Sequence, residues 1–330
     1  MRRGGLIAVA VAAAIALAVT WLRAQPAPAA GRTVGPTAAS GVTLGGVDVT
    51  GWTAADLRAY LASASPVTEP VEPSIDPDTQ GRVPGLDGIS IDVGATVDRV
   101  LSAPAGTAAL PVLGLVPPAR GLADLPPGPV YRGNRGKQAV AFLINVAWGD
   151  KFVPPLLREL RAADAPATFC LVGAWAQLHP DLVREMAAAG YEFCNHGYSD
   201  HSWAGIGEAA ARASITRADA AIEPLTGRRP VLFSPHKGDI NAAVIAATAA
   251  TGHTLVLWSR DTIDWQNPPV YRVLERTAGR ARPGDIVLMH PTAVTVQALP
   301  AMIRAIRDKG LRILSVGDLL SPDPWAGTPR

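Results

Sequence analysis

The sequence predicts an α/β protein. Its larger part, residues 137–322, reads as a (β/α)7-type partial barrel, preceded by a small α+β module and an N-terminal signal or anchor. Two observations carry the barrel. Seven apolar segments alternate with helical segments in fewer than 190 residues, the pattern of an all-parallel sheet. Those segments, "AVAFLINV", "ATFCLV", "YEFCN", "VLFS", "TLVLW", "DIVLM" and "RILSV", are apolar along their length, as strands covered on both faces should be. Seven units suit a slightly open barrel, smaller than the eight-unit form. A third observation, a basic then apolar opening, carries the N-terminal segment.

In chain order, residues 1–30 place Arg2 and Arg3 before an uncharged apolar run from Leu6 to Leu22, and small residues follow. That is an export signal. The run is slightly short of the ~20 residues that span a bilayer, so a cleaved signal and an uncleaved membrane anchor both fit. The expected location is extracytoplasmic, secreted or anchored at the cell envelope. Residues 31–40 read as a flexible lead. "GVTLGGVDVTGWTAADLRAYLASAS" reads as strand, turn, helix; Thr53 and Asp56 fit a capping box, and Leu57, Tyr60 and Leu61 give an apolar stripe. Residues 64–82 hold prolines and acids and read as a loop. "GISIDVGATVDRVL" repeats strand then helix, and "LPVLGLVPP" is a third strand ended by prolines. Residues 41–118 therefore make the α+β module, and 119–136 a linker. Inside the barrel, "PDLVREMAAAG" has Pro180 at a helix start and Gly190 at its stop.

Composition bounds the partners. The chain is globular rather than disordered, with hydrophobic residues at 48%. Arg2, Arg3 and Arg23 are the only charges in the first 30 residues; without them the formal net charge of +2 becomes −1. A near-neutral body gives no reason to expect nucleic acid. The two cysteines, Cys170 and Cys194, have no metal-type spacing. An exported protein could pair them, but two small buried thiols is the preferred reading.

Polar residues fall at the strand ends. Asn145 ends the first strand, His196 the third, "SPHKGD" (234–239) the fourth, "SRDTIDW" the fifth, and His290 the sixth. In a parallel barrel these ends share one face, where active sites form. One polar strand end would be a loop closure; five make a composite site.

The chain here resembles the polysaccharide deacetylases, or NodB-homology carbohydrate esterases. The likeness covers residues 137–320 in order and spacing, through "ATFCLVGAWAQLHPDLVREMAAAGYEFCNHGYSDH", "GRRPVLFSPHKGD", "LWSRDTIDWQNP", "PGDIVLMHP" and "ALPAMIRAIRDKGLRILSVGDLL". "INVAWGD" and "DTIDWQ" look closest to the sporulation-associated branch. The resemblance implies a NodB-like barrel acting on an N-acetylated glycan such as peptidoglycan. It also implies a divalent metal, often zinc, on one Asp and two His. A second Asp would be the base, and a His opposite would protonate the departing amine. The acid falls on His290 in a Leu-x-His pattern, with Asp264 as its partner and Trp265 lining the acetyl pocket.

Three motifs depart from the family pattern. Where it has Thr-Phe-Asp-Asp-Gly, this chain has "INVAWGD": Asn145 stands at the base position and Val146 at that of the metal-binding Asp. An amide is no proton acceptor at neutral pH, and a valine ligates nothing. Asp150, four residues on, reads either as a replacement ligand or as a loop acid. Where the family has two His four apart, His196 is followed by Asp200, with His201 one residue late. The expected metal set is therefore His196 with Asp200, His201 or Asp150. Ser234, His236 and Lys237 replace the usual Arg and Pro-Tyr pair, and the backbone near Lys237 could still meet an oxyanion. His179, His253 and Asp261 read as structural. The module's "GVxLGGVDVxG" opening weakly resembles small wall-associated modules, and a folding spacer explains it equally. Two functions follow: an N-deacetylase with an altered metal site, or a glycan-binding pseudoenzyme of the same fold.

Overall fold

The computed structural model describes residues 4–26, 35–62 and 67–327. Arg2, Arg3 and the first residues of the expected flexible lead lie outside these. The chain divides into two compact units, Met1–Glu72 with Leu86–Ala119, and Pro73–Gly85 with Arg120–Arg330.

The first unit contains the helix Gly4–Ala24, whose last two turns bury Ala18 and Leu22 beside Val42, Leu44 and Leu57. No helix among the described residues is long and apolar enough to cross a membrane. Strand Thr43–Leu44 pairs antiparallel with Val47–Asp48 and parallel with Ala108–Ala109. The paired glycines of "GVTLGGVDVTG" are the hairpin turn: Gly45 and Gly46 have φ of 59° and 88°, which a side chain would resist. Helix Ala54–Leu61 starts on the expected capping box, with Asp56 N–H donating to Thr53 Oγ1 at 3.2 Å and Thr53 N–H to Asp56 Oδ2 at 2.9 Å. Helix Val93–Leu101 and the antiparallel pair Gly88–Ile91 with Leu113–Val116 complete the unit.

The second unit is the barrel. Its strands are β1 (Ala139–Val146), β2 (Thr168–Leu171), β3 (Glu192–Asn195), β4 (Leu232–Phe233), β5 (Thr254–Leu255), β6 (Arg260–Asp261), β7 (Ile286–Met289) and β8 (Arg312–Leu314). They form one sheet in the order β5-β4-β3-β2-β1-β7-β6, with β8 also paired to β1, and every pairing is parallel. The helices that precede or follow these strands include α1 (Val153–Ala162), α2 (Gly173–Leu178), α3 (Pro180–Ala188), α4 (Glu208–Thr226), α5 (Ala242–Ala250), α6 (Val270–Arg276) and α7 (Ala293–Asp308). The open, curled parallel sheet was expected, but with seven strands. The eighth, β6, is two half-buried residues, Arg260 and Asp261, following β5 without a helix between. A charged pair that short gives no apolar run to read.

Two cores lie on the two faces of the sheet. Along β1, Val140, Phe142, Ile144 and Val146 pack in one with the helices, while Ala139, Ala141 and Leu143 pack in the other. Strand periodicity then places Asn145 on the second face, inside the barrel, and Val146 on the first.

Two expectations are corrected. The stretch 119–136 is not a linker: from Arg120 it belongs to the barrel unit. Val130 is fully buried and bridges Val256 in parallel, Arg132 meets Asp76 at 2.6 Å, and Asn134 Nδ2 donates to Pro84 O at 3.1 Å. Proline and glycine supplied the linker signal, but the residues between them are held by backbone bridges. The cysteines are also paired rather than free: Cys170 and Cys194 form a disulfide, with Cα atoms 4.1 Å apart. They are in-register neighbours on β2 and β3 and share the inner core, so the sheet brings the thiols together.

Candidate functional site

Because all strands run one way, their carboxyl ends share one rim. Asn145 is the penultimate residue of β1, His196 follows β3, Ser234 and His236 follow β4, Asp264 follows β6 and His290 follows β7. The structure brings these together as two sets.

The first set is Asp264 and His290. His290 Nδ1–H donates to Asp264 Oδ1 at 2.8 Å. The other oxygen, Oδ2, accepts from His290 N–H at 2.7 Å and from the Thr295 hydroxyl. Thr295 in turn receives the Thr292 hydroxyl at 3.0 Å. Asp264 is only 1% exposed, and three donors of this chain meet its two oxygens. It orients the imidazole. Thr295, which sits in the first turns of α7, went unnoticed in the sequence because its contact with Asp264 spans 31 residues. The backbone at the front of this pair is strained: Ile263 has φ 52°, rare for a β-branched residue, and its N–H donates to Asp261 Oδ1 at 2.8 Å. That is the structural role expected of Asp261. Burial pushes the Asp261 carboxyl above its usual range.

Trp148 adds a wall the sequence reading missed. Its indole stacks on the His290 ring with centroids 5.7 Å apart and planes at 9°, and it remains 40% exposed. Gly149 (φ 81°) allows this loop to lie on Pro291, whose carbonyl a Cβ would strike. Trp265 is 58% exposed.

The second set is His196, His236 and their partners. His196 is buried, and its Nδ1–H donates to the Ser234 carbonyl at 2.6 Å. Burial, with the nearby His236 ring adding to it, holds its pKa at about 3, so the ring is neutral. His236 lies edge-to-face with His196, centroids 5.4 Å apart, and its Nε2 meets Asp200 Oδ1 at 2.5 Å. Burial lowers the His236 pKa too, against the pull of Asp200. The turn bearing His196 is braced from behind. Asn195 Oδ1 accepts Gly197 N–H at 2.7 Å, and its amide donates to Ile215 O at 2.8 Å and Asp219 Oδ1 at 2.7 Å. Asp219 also binds Arg229 and His253, which makes His253 structural as expected. Asp239 Oδ2 accepts from the Ser202 hydroxyl at 2.6 Å and from Trp203 and Ala204 N–H, tying the loop after β3 to the loop after β4.

The expected metal ligands do not assemble. Among the described residues no three His, Cys, Asp or Glu side chains come together as a metal site. Asp200 is engaged by His236, His201 and Asp150 are exposed, and Val146 packs among the helices. The Asp-His-His set that the resemblance implies therefore does not fit this chain. Lys237 is exposed, with φ 59°, and Asn145, though 97% buried, carries an amide rather than a carboxylate.

A family model described as polysaccharide deacetylase matches residues 132–256. The chain is 32% identical to the uncharacterized protein YlxY of Bacillus subtilis over 238 residues, covering 72% of this chain and 75% of that one. It is 31% identical to a peptidoglycan-N-acetylglucosamine deacetylase of Bacillus cereus over 175 residues, covering 51% of this chain and 82% of the relative. Among solved structures it is similar to wild-type BA3943, a CE4 family pseudoenzyme from Bacillus anthracis. There the TM-score is 0.70 at 28% identity, over 82% of this chain and 95% of that one. A mutant of that pseudoenzyme, described as having restored enzymatic activity, matches at TM-score 0.69 and 26% identity, over 82% and 98%.

Proposed function

The chain belongs to the polysaccharide deacetylase family, and from that premise we propose that it is an exported envelope protein that holds an N-acetylated glycan, such as peptidoglycan, in a groove that has lost the hydrolytic step. One observation carries this reading: the strand end where the family's base would stand presents the buried Asn145 amide. The nearby carboxylates are partly engaged: Asp264 meets three donors, Asp200 is held by His236, and Asp261 Oδ1 accepts the Ile263 N–H. Attack on an amide needs a water stripped of its proton, and general-base catalysis contributes roughly 10²–10⁴-fold. What remains suits binding. Trp148 and Trp265 offer exposed aromatic faces, and sugar rings stack on such faces through their C–H bonds. The similarity to a pseudoenzyme over most of both chains supports the same reading. The apolar N-terminal run and the disulfide both suit a location outside the reducing cytosol.

Slow deacetylation is the second reading, favoured by the intact Asp264–His290 pair, which has the geometry of an oriented general acid. One experiment decides between the two. N-acetylglucosamine oligomers and their fully deacetylated counterparts are titrated against the purified protein by calorimetry, while acetate release is followed beside an active family member. We expect binding of the acetylated oligomers alone, with acetate release at least ~10²-fold below the active enzyme. No binding, or release at the active enzyme's rate, would overturn the proposal.

A further inference from the structure

The "GVTLGGVDVTG" hairpin of the first unit is a seat for the helix Gly4–Ala24, which ends against it. Ala14, Ala18 and Leu22 are spaced four apart and so form one stripe of that helix, with exposures of 4%, 0% and 0%. Ala18 and Leu22 share one core with Val42, Leu44, Val49, Leu57 and Tyr60, and Trp21 packs on its edge. Two polar contacts hold the helix end. Arg23 Nε–H donates to the Gly45 carbonyl at 2.9 Å, and the buried Tyr60 hydroxyl donates to the Leu22 carbonyl. The hairpin glycines are shaped by the same approach. A Cβ on Gly45 would stand 3.0 Å from Leu22 Cδ1, and one on Gly46 would stand 2.7 Å from Arg23 Nη2. Space as well as positive φ therefore keeps both positions glycine.

We propose that this helix is not a disposable leader: the exported chain keeps it, and the Gly45–Gly46 hairpin, with Leu57 and Tyr60, is its binding site. The assignment rests on the export part of the functional reading and not on glycan binding. The small residues from Ala24 to Ala30 are where a signal would be cut. A cut there removes Ala18, Trp21, Leu22 and Arg23 from a module whose core contains or touches them. Val42, Leu44 and Leu57, each fully buried, would be uncovered on that side. The hydroxyl of Tyr60, a residue only 4% exposed, would lose its acceptor. A module complete without its leader would show neither loss. Of the two fates the sequence allows, a cleaved signal or an uncleaved segment, these contacts select the second. They also give the hairpin motif a task inside the chain, in place of contact with the wall.

The test reads the N-terminus of the exported protein. The full chain, tagged at its C-terminus, is produced in a bacterial host, recovered from the extracytoplasmic and membrane fractions, and weighed intact by mass spectrometry. The mass should be that of a chain starting at residue 1 or 2. A start between residues 24 and 31 overturns the proposal. Docking is read separately on the purified full chain in mild detergent. Both native cysteines are held in the Cys170–Cys194 disulfide, so introduced thiols are the free ones. Val19→Cys with Gly45→Cys should close a disulfide in glutathione disulfide, because a Cβ at position 45 lies 3.6 Å from Val19 Cα and 3.4 Å from its Cγ2. Leu17→Cys with Gly45→Cys should stay reduced, since Leu17 is 55% exposed and lies off the buried stripe. Gly45→Cys strains the turn, so a milder readout accompanies it. Trypsin cuts after Arg23, and Tyr60→Phe should speed that cut ~2–10-fold by removing one hydrogen bond that holds the helix end. Equal rates, or equal cross-linking from positions 17 and 19, overturn the docking. A chain that never leaves the cytoplasm sinks the export reading alone, and cross-linking and trypsin then still decide the seat.

Discussion

Acidification should reveal the buried histidine of the rim. Burial first, and the neighbouring His236 next, hold the His196 pKa at about 3, whereas an unfolded chain titrates near ~6.5. The sign follows from proton counting. Between those two values the unfolded chain binds a proton that the folded one refuses, so stability is full above the unfolded pKa and falls as the pH drops towards 3. The slope is about 1.4 kcal/mol per pH unit, so going from pH 7 to pH 5 removes about 2 kcal/mol through this residue. Other groups titrate too. Asp261, raised by burial, works in the opposite direction, and His236, lowered by burial, works in the same one. The comparison is therefore with His196→Gln, whose amide can still donate to Ser234 O. Urea unfolding of both proteins, with chelator present, is measured at pH 7 and pH 5. The stability difference between wild type and variant should shift by about 2 kcal/mol against wild type at the lower pH. Parallel pH dependences would refute the claim that His196 is buried neutral.

Reducing Cys170–Cys194, 24 residues apart, should cost about 3.5 kcal/mol by loop-closure entropy and lower the Tm by roughly 7–14 °C; an unchanged Tm, or two titratable thiols in the native protein, contradicts the pairing. Asp264→Asn offers one acceptor oxygen to three donors, so stability should fall by ~1–3 kcal/mol and nitrogen NMR should show the His290 proton moved from Nδ1 to Nε2. An unchanged tautomer would show that Asp264 does not set it. Asn145→Asp with Val146→Asp, in excess zinc, should release acetate faster than wild type, because the first change restores a proton acceptor inside the barrel. Val146→Asp alone should cost several kcal/mol, since Val146 is fully buried on the helix-facing side. An equal or slower rate for the folded double variant would show that a missing base is not what limits the chemistry.

The sequence made the parallel sheet legible because its strands carry uninterrupted apolar runs, and the composite rim legible because polar residues stop those runs. What it concealed were contacts between distant segments. Nothing in "GYSDHSW" says that Asp200 will face His236, which lies 36 residues further on and across two loops. Nothing in "PTAVT" says that Thr295 closes the coordination of Asp264. The disulfide was within reach: "TFCLV" and "EFCN" place their cysteines alike on two consecutive strands, and adjacency in a parallel sheet puts them side by side. Trp148 was missed because a tryptophan beside a glycine in a loop is ordinary. Its meaning comes from the stack on His290. The region 119–136 was misread because proline and glycine report local stiffness, not whether the backbone finds a bridge elsewhere.

The uneven survival of the catalytic parts has a physical logic. The Asp264–His290 half is electrostatically complete within the protein, since every oxygen of the buried carboxylate is met by a donor of this chain. It stands without a metal at no desolvation penalty left unpaid. Two carboxylates at positions 145 and 146 would differ. Both sites are buried, at 3% and 0% exposure, and no cationic side chain is bonded to Asn145. Ionised carboxylates there, buried on opposite faces of β1, would each need a cation or several donors to be tolerated. An amide and a valine remove that demand. The imidazoles of His196 and His236 fit the same logic, because a neutral ring is tolerated in a buried site whether or not an ion sits on it.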